Sequence, residues 1–292
     1  MAPSTQSALI TGGCSGMGLA VAKALADRGG WNLHLLDLRP PLEEVAGATF
    51  WKVNVLDYEA LADTFQKIFD GDGRLDFVFA NAGIVERFNF YEQHPTGQPP
   101  PPPDQTVIDI NLKSVISTSW LAQHYFRQST KSEDKNLIMT ASVGALYRCM
   151  VSPSYCAAKH GVLGLMRSIA PKYHQQGVRV NAICPGTVKT NLLDAAAWAT
   201  FSDDIFVPIS KISETVLMII DGYDVGGKNV GALATSDGSS NGVQAGGVRE
   251  KLWGKAVELS GSNHFYREQP DYCDANMARC MKATERETYN EV

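Results

Sequence analysis

The hydrophobic positions of the chain fall into short apolar runs that alternate with longer amphipathic stretches. The apolar runs predict seven strands, at Ser7–Thr11, Asn32–Asp37, Thr49–Val53, Phe77–Ala80, Asn136–Thr140, Arg179–Ile183 and Val230–Thr235. Apolar residues recur with helical spacing over five stretches, at Met17–Arg28, Tyr58–Phe69, Gln105–Gln128, Ser154–Gln176 and Pro208–Tyr223. Strands that are apolar on both faces and separated by helices are typical of a parallel sheet that is covered on both sides. Because crossovers between parallel strands are right-handed, we expect a single-domain α/β fold with a doubly wound sheet of about seven strands and helices on both faces.

Two segments interrupt this alternation. Residues 95–104 contain the run Pro99–Pro103, which lacks backbone donors and predicts a stiff surface loop beside a cleft rather than a partner-docking segment. The second interruption follows Thr235, where the stretch Asp237–Gly247 has the glycine- and serine-rich composition of a loop. We therefore expect a domain over residues 1–240 and a C-terminal extension over 241–292 that packs on this domain or on a neighbouring subunit.

Composition narrows the class of protein. The 292 residues are 44% hydrophobic and 20% charged, which is ordinary for a globular protein, and the formal net charge of -5 argues against a nucleic-acid partner. No apolar stretch is long enough to predict a membrane span or a secretory leader, so we expect a cytoplasmic protein without a membrane partner. The six cysteines form no C-x-x-C pair, which favours free thiols in a reducing compartment and predicts no metal site.

A glycine-rich turn follows the first predicted strand. Gly12 allows the chain to turn sharply, Gly16 leaves room for backbone N–H groups to approach a pyrophosphate, and Gly18 allows helix and strand to pack closely. Ser15 and Met17 complete the turn, and the helix that follows presents the positive end of its dipole to the anion. We interpret this turn as the phosphate-binding site of a Rossmann-like dinucleotide-binding fold.

Asp37 ends the next predicted strand, nineteen residues after Gly18. A carboxylate at that point accepts hydrogen bonds from the adenosine ribose hydroxyls and repels a 2′-phosphate, which favours NAD over NADP as the cofactor. Arg39, two residues further on, leaves the opposite preference open because an arginine pairs well with a phosphate.

The expected proton-transfer chemistry follows from three residues, Ser142, Tyr155 and Lys159. Ser142 follows a strand, at the sheet edge where ligands bind, and Tyr155 and Lys159 share a helix face because they are four residues apart. The reference pKa of a phenol is about 10, and an ammonium about 4 Å away stabilises a phenolate by about 4 kcal/mol at an effective dielectric constant of about 20. We therefore expect Lys159 and an oxidised nicotinamide to lower the pKa of Tyr155. Tyr155 then takes a proton from an alcohol or gives one to a ketone, while Ser142 holds the substrate oxygen.

Over roughly residues 5–240, the sequence resembles the short-chain dehydrogenase/reductase family. The motifs that carry the resemblance are Thr11–Gly18, Asn81-Ala82-Gly83, Asn111, the set Ser142, Tyr155 and Lys159, and Pro185–Val188 with Thr190. Within the family the chain is most similar to the NAD-dependent 15-hydroxyprostaglandin dehydrogenase group and its fungal relatives. Ser152 stands where that group has a substrate-binding glutamine, so we do not expect a prostaglandin substrate.

The resemblance implies roles for individual residues. The implied catalytic residues are Asn111, Ser142, Tyr155 and Lys159. The implied cofactor-binding residues are Gly12, Ser15, Gly16, Met17, Gly18, Asp37, Asn54, Val55, Asn81, Ala82, Gly83, Tyr155, Lys159, Pro185, Gly186, Val188 and Thr190. The substrate pocket is expected to include Ser142, Tyr147, Ser152 and Trp198. The family also implies a homodimer or homotetramer built on the two long helices.

The expected function is that of an oxidoreductase that transfers a hydride between NAD(H) and a hydrophobic secondary alcohol or ketone. An NADP-dependent ketoreductase of secondary metabolism is the alternative that Arg39 would favour. A non-catalytic cofactor-binding scaffold or redox sensor is the alternative of another class, and the complete set of four catalytic residues argues against it.

Overall fold

A computed structural model of the chain describes residues 5–130, 134–224 and 251–285. The strands are β1 (Gln6–Thr11), β2 (Trp31–Asp37), β3 (Ala48–Lys52), β4 (Phe77–Ala80), β5 (Lys135–Thr140), β6 (Val178–Pro185), β7 (Ala256–Ser260) and β8 (Asn263–Tyr266). The helices are α1 (Gly16–Arg28), α2 (Tyr58–Asp72), α3 (Thr106–Ile108), α4 (Ser114–Gln128), α5 (Pro153–Gln175), α6 (Ala195–Trp198), α7 (Ile209–Asp221) and α8 (Ala275–Lys282). Six of the predicted strands and all five predicted helices occur close to their predicted bounds. The seventh predicted strand, Val230–Thr235, and the predicted loop Asp237–Gly247 lie outside the described residues.

The strands form a single sheet in the order β3-β2-β1-β4-β5-β6-β7-β8. Neighbouring strands from β3 to β7 are parallel, and β8 joins β7 as an antiparallel edge strand. The strand order reverses between β1 and β4, and ligands of doubly wound sheets bind at such a reversal. The predicted doubly wound, mostly parallel architecture is confirmed.

Side chains of the central strands point alternately into two apolar layers. On one face, Leu9 of β1 and Val78 of β4 pack with helices α2, α4 and α5. On the other face, Ile10 and Phe79 pack with helices α1 and α7. Because both faces are buried, β4 is apolar at every position and β1 has the continuous apolar run Ala8–Ile10 at its centre.

The segment from 251 onwards supplies two strands to the same sheet. Val257 and Leu259 of β7 are fully buried, and β7 pairs with β6, while the β7–β8 hairpin closes the edge of the sheet. Helix α8 contains no buried residue. The described part of the predicted extension therefore contains two strands of the sheet, β7 and β8, and one exposed helix, α8.

A wide turn joins α3 to α4 within one continuous helical segment. Residues Asp109–Lys113 form a π-helical turn, in which the N–H of Ser114 donates to the carbonyl of Asp109. Asn111 lies in this turn and is completely buried. The turn therefore directs a polar side chain into the interior.

Among the described residues, no helix combines the length and the apolar character that are needed to cross a bilayer. Within the same residues, histidine, cysteine and carboxylate side chains form no group of three that could hold a metal ion.

Candidate active site

A cavity of about 300 Å³ lies at the carboxyl ends of the parallel strands, at the reversal between β1 and β4. Its wall combines residues from the loops that follow six different strands. The predicted cofactor and catalytic residues that line it are Gly12, Ser15, Gly16, Met17, Asp37, Asn54, Val55, Asn81, Ala82, Gly83, Tyr155, Lys159 and Thr190. Residues that are more than a hundred positions apart in the sequence therefore meet at one edge of the sheet.

The glycine-rich turn has no room for side chains. Gly12 and Gly16 have φ angles of 64° and 50°, in the left-handed region that favours glycine. A Cβ atom on Gly12 would lie 2.9 Å from the Cα of Ala82, and one on Gly18 would lie 2.2 Å from the carbonyl oxygen of Gly12. Gly18 thus packs behind the cavity wall, while Gly12 and Gly16 form it. A backbone this bare, next to the N-terminus of α1, fits the pyrophosphate of a dinucleotide.

Asp37 lies at the end of β2 and faces the same cavity. Its carboxylate accepts hydrogen bonds from the backbone N–H of Cys14 (3.2 Å) and of Leu38 (2.7 Å). Burial raises the pKa of the Cys14 thiol to about 12, and the nearby charge of Asp37 acts in the same direction. Arg39 is exposed and does not line the cavity.

Asn81 links the glycine turn to the opposite wall. Its side-chain amide donates to the carbonyls of Thr11 and Gly12, at 3.3 Å each, and its Oδ1 accepts a hydrogen bond from the Thr140 hydroxyl at 3.0 Å. The carbonyl of Thr140 accepts a hydrogen bond from the Lys159 ammonium at 2.7 Å. A continuous chain of hydrogen bonds therefore runs from the glycine turn to Lys159.

Tyr155 and Lys159 both face the cavity from the first turns of α5. The Lys159 Nζ lies 5.7 Å from the centre of the Tyr155 ring, and only 3% of the lysine is exposed. Burial lowers the pKa of Lys159 to about 8. The predicted juxtaposition of phenol, ammonium and glycine turn is what the structure shows.

The predicted direction of the Tyr155 pKa shift is wrong for the protein alone. Burial raises the pKa of the phenol, and the hydrogen bond with the Ser142 hydroxyl counteracts this only in part. The Lys159 ammonium donates to a neutral carbonyl and is itself easily deprotonated, so it does not offset the desolvation of a phenolate.

Ser142 and Asn111 lie behind the cavity wall. The Ser142 hydroxyl accepts a hydrogen bond from the N–H of Gly144 (3.0 Å), and a Cβ on Gly144 would lie within 3.5 Å of both Ser142 Oγ and the Tyr155 ring. The side chain of Asn111 binds both the N–H and the carbonyl of Ile84, at 2.8 Å each. These contacts fix the backbone on both sides of the tyrosine.

The remaining predicted cofactor residues shape the turn after β6. Pro185 ends β6, the N–H of Gly186 donates to the carbonyl of Leu259, and Val188 is buried in the core. Thr190 comes forward from this turn and packs against Gly16, where an added Cβ would lie 3.1 Å from its side chain.

None of the four predicted substrate-pocket residues belongs to the cavity lining, and Ser142 lies behind the cavity wall. The Tyr147 hydroxyl donates to the carboxylate of Glu258 (3.0 Å), and Ser152 occupies the N-cap position of α5. The Trp198 indole donates to the carbonyl of Thr190 (2.7 Å) and packs against Phe206. Trp198 therefore attaches the segment after the turn to the cofactor side of the site.

Glu86 is a residue of the site that no sequence pattern indicated. Its carboxylate accepts a hydrogen bond from the backbone N–H of Tyr155 at 2.8 Å and so caps the first turn of α5. Residues Ile84, Val85 and Arg87 of the same loop line the cavity. No local signal could have indicated Glu86, because its partner is 69 residues away in the sequence.

The sheet is doubly wound, and its glycine turn, which carries no side chain at Gly12 and Gly16, faces a tyrosine–lysine pair. This combination is typical of a nucleotide-dependent oxidoreductase. The family model for short chain dehydrogenases matches residues 6–199. The chain belongs to the short-chain dehydrogenase/reductase family and is an NAD(P)-dependent oxidoreductase that acts on CH–OH groups. The predicted family and enzyme class are confirmed.

Known proteins match this chain over different lengths. The chain is 43% identical over 279 residues to short-chain dehydrogenase/reductase prx7 of Penicillium rubens, covering 92% of this chain and 96% of the relative. It is 34% identical over 200 residues to human 15-hydroxyprostaglandin dehydrogenase (NAD(+)), covering 64% of this chain and 70% of the relative. In fold it is similar to a 3-oxoacyl-[acyl-carrier protein] reductase from Brucella melitensis solved in complex with NAD, with a TM-score of 0.65, 21% identity, and coverage of 74% of this chain and 90% of that one.

Proposed function

We propose that the protein is an NAD-dependent dehydrogenase of hydrophobic secondary alcohols, or a reductase of the corresponding ketones, with Tyr155 as the general acid and base. The observation that carries this proposal is that Tyr155 and Lys159 face the same cavity as Gly12 and Gly16. A group that transfers protons therefore lies opposite a backbone that suits a dinucleotide.

The catalytic roles follow from the contacts of the four residues. In the oxidation the Tyr155 phenolate oxygen takes the proton that leaves the alcohol, in the reduction the Tyr155 hydroxyl gives this proton to the ketone, and Ser142, which interacts with the phenol, holds the substrate oxygen. With the cofactor bound, Lys159 would hold the nicotinamide ribose and would favour the phenolate together with the positive charge of the oxidised nicotinamide, and Asn111 supports the proton path from the far side of Gly83. When bound, the nicotinamide supplies the acceptor or donor of the hydride.

The cofactor would be held along the strand ends. Of the residues in the glycine-rich turn, Gly12, Ser15, Gly16 and Met17 line the cavity and would hold the pyrophosphate, Asp37 the adenosine ribose, Asn54 and Val55 the adenine, and Thr190 the nicotinamide. Asp37 supports NAD as the cofactor because its carboxylate repels a 2′-phosphate. The exposed position of Arg39 gives NADP no comparable support.

Apolar side chains support a hydrophobic substrate. Leu192 lines the cavity and is partly exposed, and Phe201 and Ile205 are exposed in the segment that follows it. Met150 and Val151, in the loop before α5, are 71% and 83% exposed. Apolar surface concentrated around a site commonly marks a binding region.

We also propose a cytoplasmic homodimer or homotetramer built on α4 and α5. Trp120 of α4 is 64% exposed and Ile116 of the same helix is 45% exposed, which leaves an apolar face for a second subunit. The buried thiols Cys14 and Cys184 are free, as suits a reducing compartment. Light scattering measures the subunit number, and a monomeric mass would contradict the assembly.

The test of the function is a screen of hydrophobic secondary alcohols and ketones for a change in nicotinamide absorbance. Tyr155→Phe should lower turnover of any substrate by roughly 10²- to 10⁴-fold because it removes the proton-transferring hydroxyl. Binding of NADH, followed by its fluorescence, should remain nearly unchanged because the ring stays in place. Turnover that survives in Tyr155→Phe would show that the proton is transferred by another group.

Cofactor preference is tested by titrating NAD and NADP into the wild type, Asp37→Asn and Arg39→Ala. Asp37→Asn preserves the shape of the side chain and removes its charge, so NADP should bind more tightly to this variant while NAD loses roughly tenfold or more in affinity. Arg39→Ala should change neither affinity appreciably. Tighter binding of NADP than of NAD to the wild type would overturn the assignment.

A further inference from the structure

Two cysteine thiols lie together immediately beside Tyr155. Cys156 follows the tyrosine in α5, and its Sγ lies 4.0 Å from the carbonyl oxygen of Cys149 and 4.0 Å from that of Tyr147. The two side chains are also close enough for Cys149 to contribute to the raised pKa of the Cys156 thiol. A turn closed by the Ser152 N–H on the Cys149 carbonyl (3.3 Å) brings the loop cysteine back to the helix.

The two thiols differ in accessibility. Cys149 is half-buried in a loop whose next two residues, Met150 and Val151, are largely exposed, whereas Cys156 is 9% exposed and packs towards Gly144. Burial raises the pKa of Cys156, and the charge of Glu86 acts in the same direction. A reagent from solution therefore meets Cys149 first, and Cys156 is placed to react with what forms there.

We propose that Cys149 and Cys156 form a reversible intrachain disulfide, with a low-molecular-weight disulfide as the oxidant. The Cys149 sulfur attacks one sulfur of the small disulfide, whose S–S bond breaks, and the released thiolate takes up the proton lost by Cys149. The Cys156 sulfur then attacks the Cys149 sulfur and displaces the second small thiolate, which takes up the Cys156 proton. Both cysteines are oxidised, and the small disulfide is reduced to two thiols.

The bond would act on the catalytic residue through two neighbours. The Cys156 Sγ and the Tyr155 Cε1 lie beside the same small residue, since a Cβ on Gly144 would be 3.4 Å from each, so we expect a displacement of the sulfur to shift the phenol ring. The bond also ties the exposed loop Met150–Val151 to the first turn of α5. The effect on turnover rests on the proposed function, whereas the formation of the bond does not.

The chemical test uses the full chain with Cys273→Ser and Cys280→Ser, which removes the two exposed cysteines of the C-terminal segment. After treatment with glutathione disulfide, remaining thiols are alkylated in denaturant and the chain is digested with trypsin. Both cysteines fall in the single peptide between Arg148 and Lys159. We expect this peptide to be lighter by two hydrogens and to carry no alkyl group, whereas Cys14 and Cys184 are alkylated.

Matched variants resolve the order of the steps. Cys149→Ser should leave Cys156 reduced, and Cys156→Ser should trap one glutathione on Cys149. A peptide that keeps both thiols, or that carries two glutathione groups, would refute the disulfide.

The functional test compares turnover of a substrate from the screen before and after oxidation. Displacement of the phenol should lower turnover by on the order of tenfold to a hundredfold, since small misplacements of reacting groups have effects of that size. A reductant should restore it, NADH binding should persist, and Cys149→Ser should be insensitive. If turnover is unchanged in the protein that carries the Cys149–Cys156 disulfide, the proposed effect of the disulfide on Tyr155 is refuted. If the link forms but the reduced protein turns over no substrate, the proposed function fails and the disulfide stands.

Discussion

Lys159 is a buried cation whose hydrogen bond to a neutral carbonyl does not compensate its desolvation. The pKa of its ammonium is lowered from 10.5 to about 8 because burial disfavours the charged form. The unfolded chain therefore binds this proton more tightly than the folded protein does, and below pH 8 the charged lysine opposes folding. As the pH rises from about 8 to 10.5, the folded protein regains this stability.

We expect this effect to appear as a difference between the wild type and Lys159→Met. The free energy of unfolding of the wild type, relative to the variant, should rise by roughly 3 kcal/mol across that pH interval, at about 1.4 kcal/mol per pKa unit. Denaturant unfolding at a series of pH values measures it, and the variant cancels the titration of other groups. Parallel curves for the two proteins would show that Lys159 has an ordinary pKa in the folded state.

The proximity of Tyr155, Lys159 and the glycine turn could be predicted from the sequence, because each lies at the end of a strand or on one helix face. The direction of the Tyr155 pKa shift could not, since it depends on the depth of burial. The same holds for the bond of Glu86 with Tyr155, 69 residues away in α5, and for the bond of the Trp198 indole with the Thr190 carbonyl. Spacing along the chain predicts which residues meet, and their hydrogen bonds depend on side-chain directions that spacing leaves open.

At the scale of elements, the junction between β1 and α1 is the most closely packed part of the site. Gly18 contacts Gly12 there, and a methyl group has no space next to the Gly12 carbonyl. Gly71 offers a contrast, because it lies in α2 with no atom within 4 Å of an added Cβ.

Gly18→Ala and Gly71→Ala should therefore change stability in opposite directions. Gly18→Ala should lower the free energy of unfolding by at least on the order of 1–3 kcal/mol and weaken NAD binding, because the turn must move. Gly71→Ala should raise it by roughly 0.4–1 kcal/mol, because alanine reduces the conformational freedom of the unfolded chain. Thermal unfolding and cofactor titration of both variants provide the test, and equal effects would mean that packing at the turn is looser than described.

The elements themselves were predictable where both faces of a strand are apolar, as in β1 and β4. β7 was not recognised because Glu258 interrupts its short apolar run. That carboxylate is buried and is compensated by the Tyr147 hydroxyl and the Arg267 guanidinium. The sequence shows the charge but not the two partners that allow it to be buried.

At the scale of the whole molecule, the sheet depends on residues from both ends of the chain. β1 lies between β2 and β4 inside the sheet, and β7 covers the edge of β6. Val257 and Leu259 of β7 each stabilise the fold by roughly 1.5–3 kcal/mol through burial. We propose that the catalytic domain requires this segment and does not end at residue 240.

Two truncations test this proposal. A chain that ends at residue 240 should fail to unfold cooperatively and should aggregate, because the edge of β6 and its apolar neighbours become exposed. A chain that ends at Pro270 keeps β7 and β8 and loses α8, which has no buried residue, so its stability should be nearly that of the full chain. A folded, cofactor-binding product from the shorter chain would place the domain boundary at 240 after all.

The π-helical turn at Asp109–Lys113 has a consequence for how this part of the chain can vary. Such a turn accommodates one more residue than a regular helical turn, and successive residues of a helix are rotated by about 100° from one another. Loss of a single residue just before Asn111 would let the helix regularise and would swing the amide away from Ile84. A change in the length of this stretch would therefore disconnect the helix from the loop that carries the cavity wall, even where every other residue of the stretch is kept.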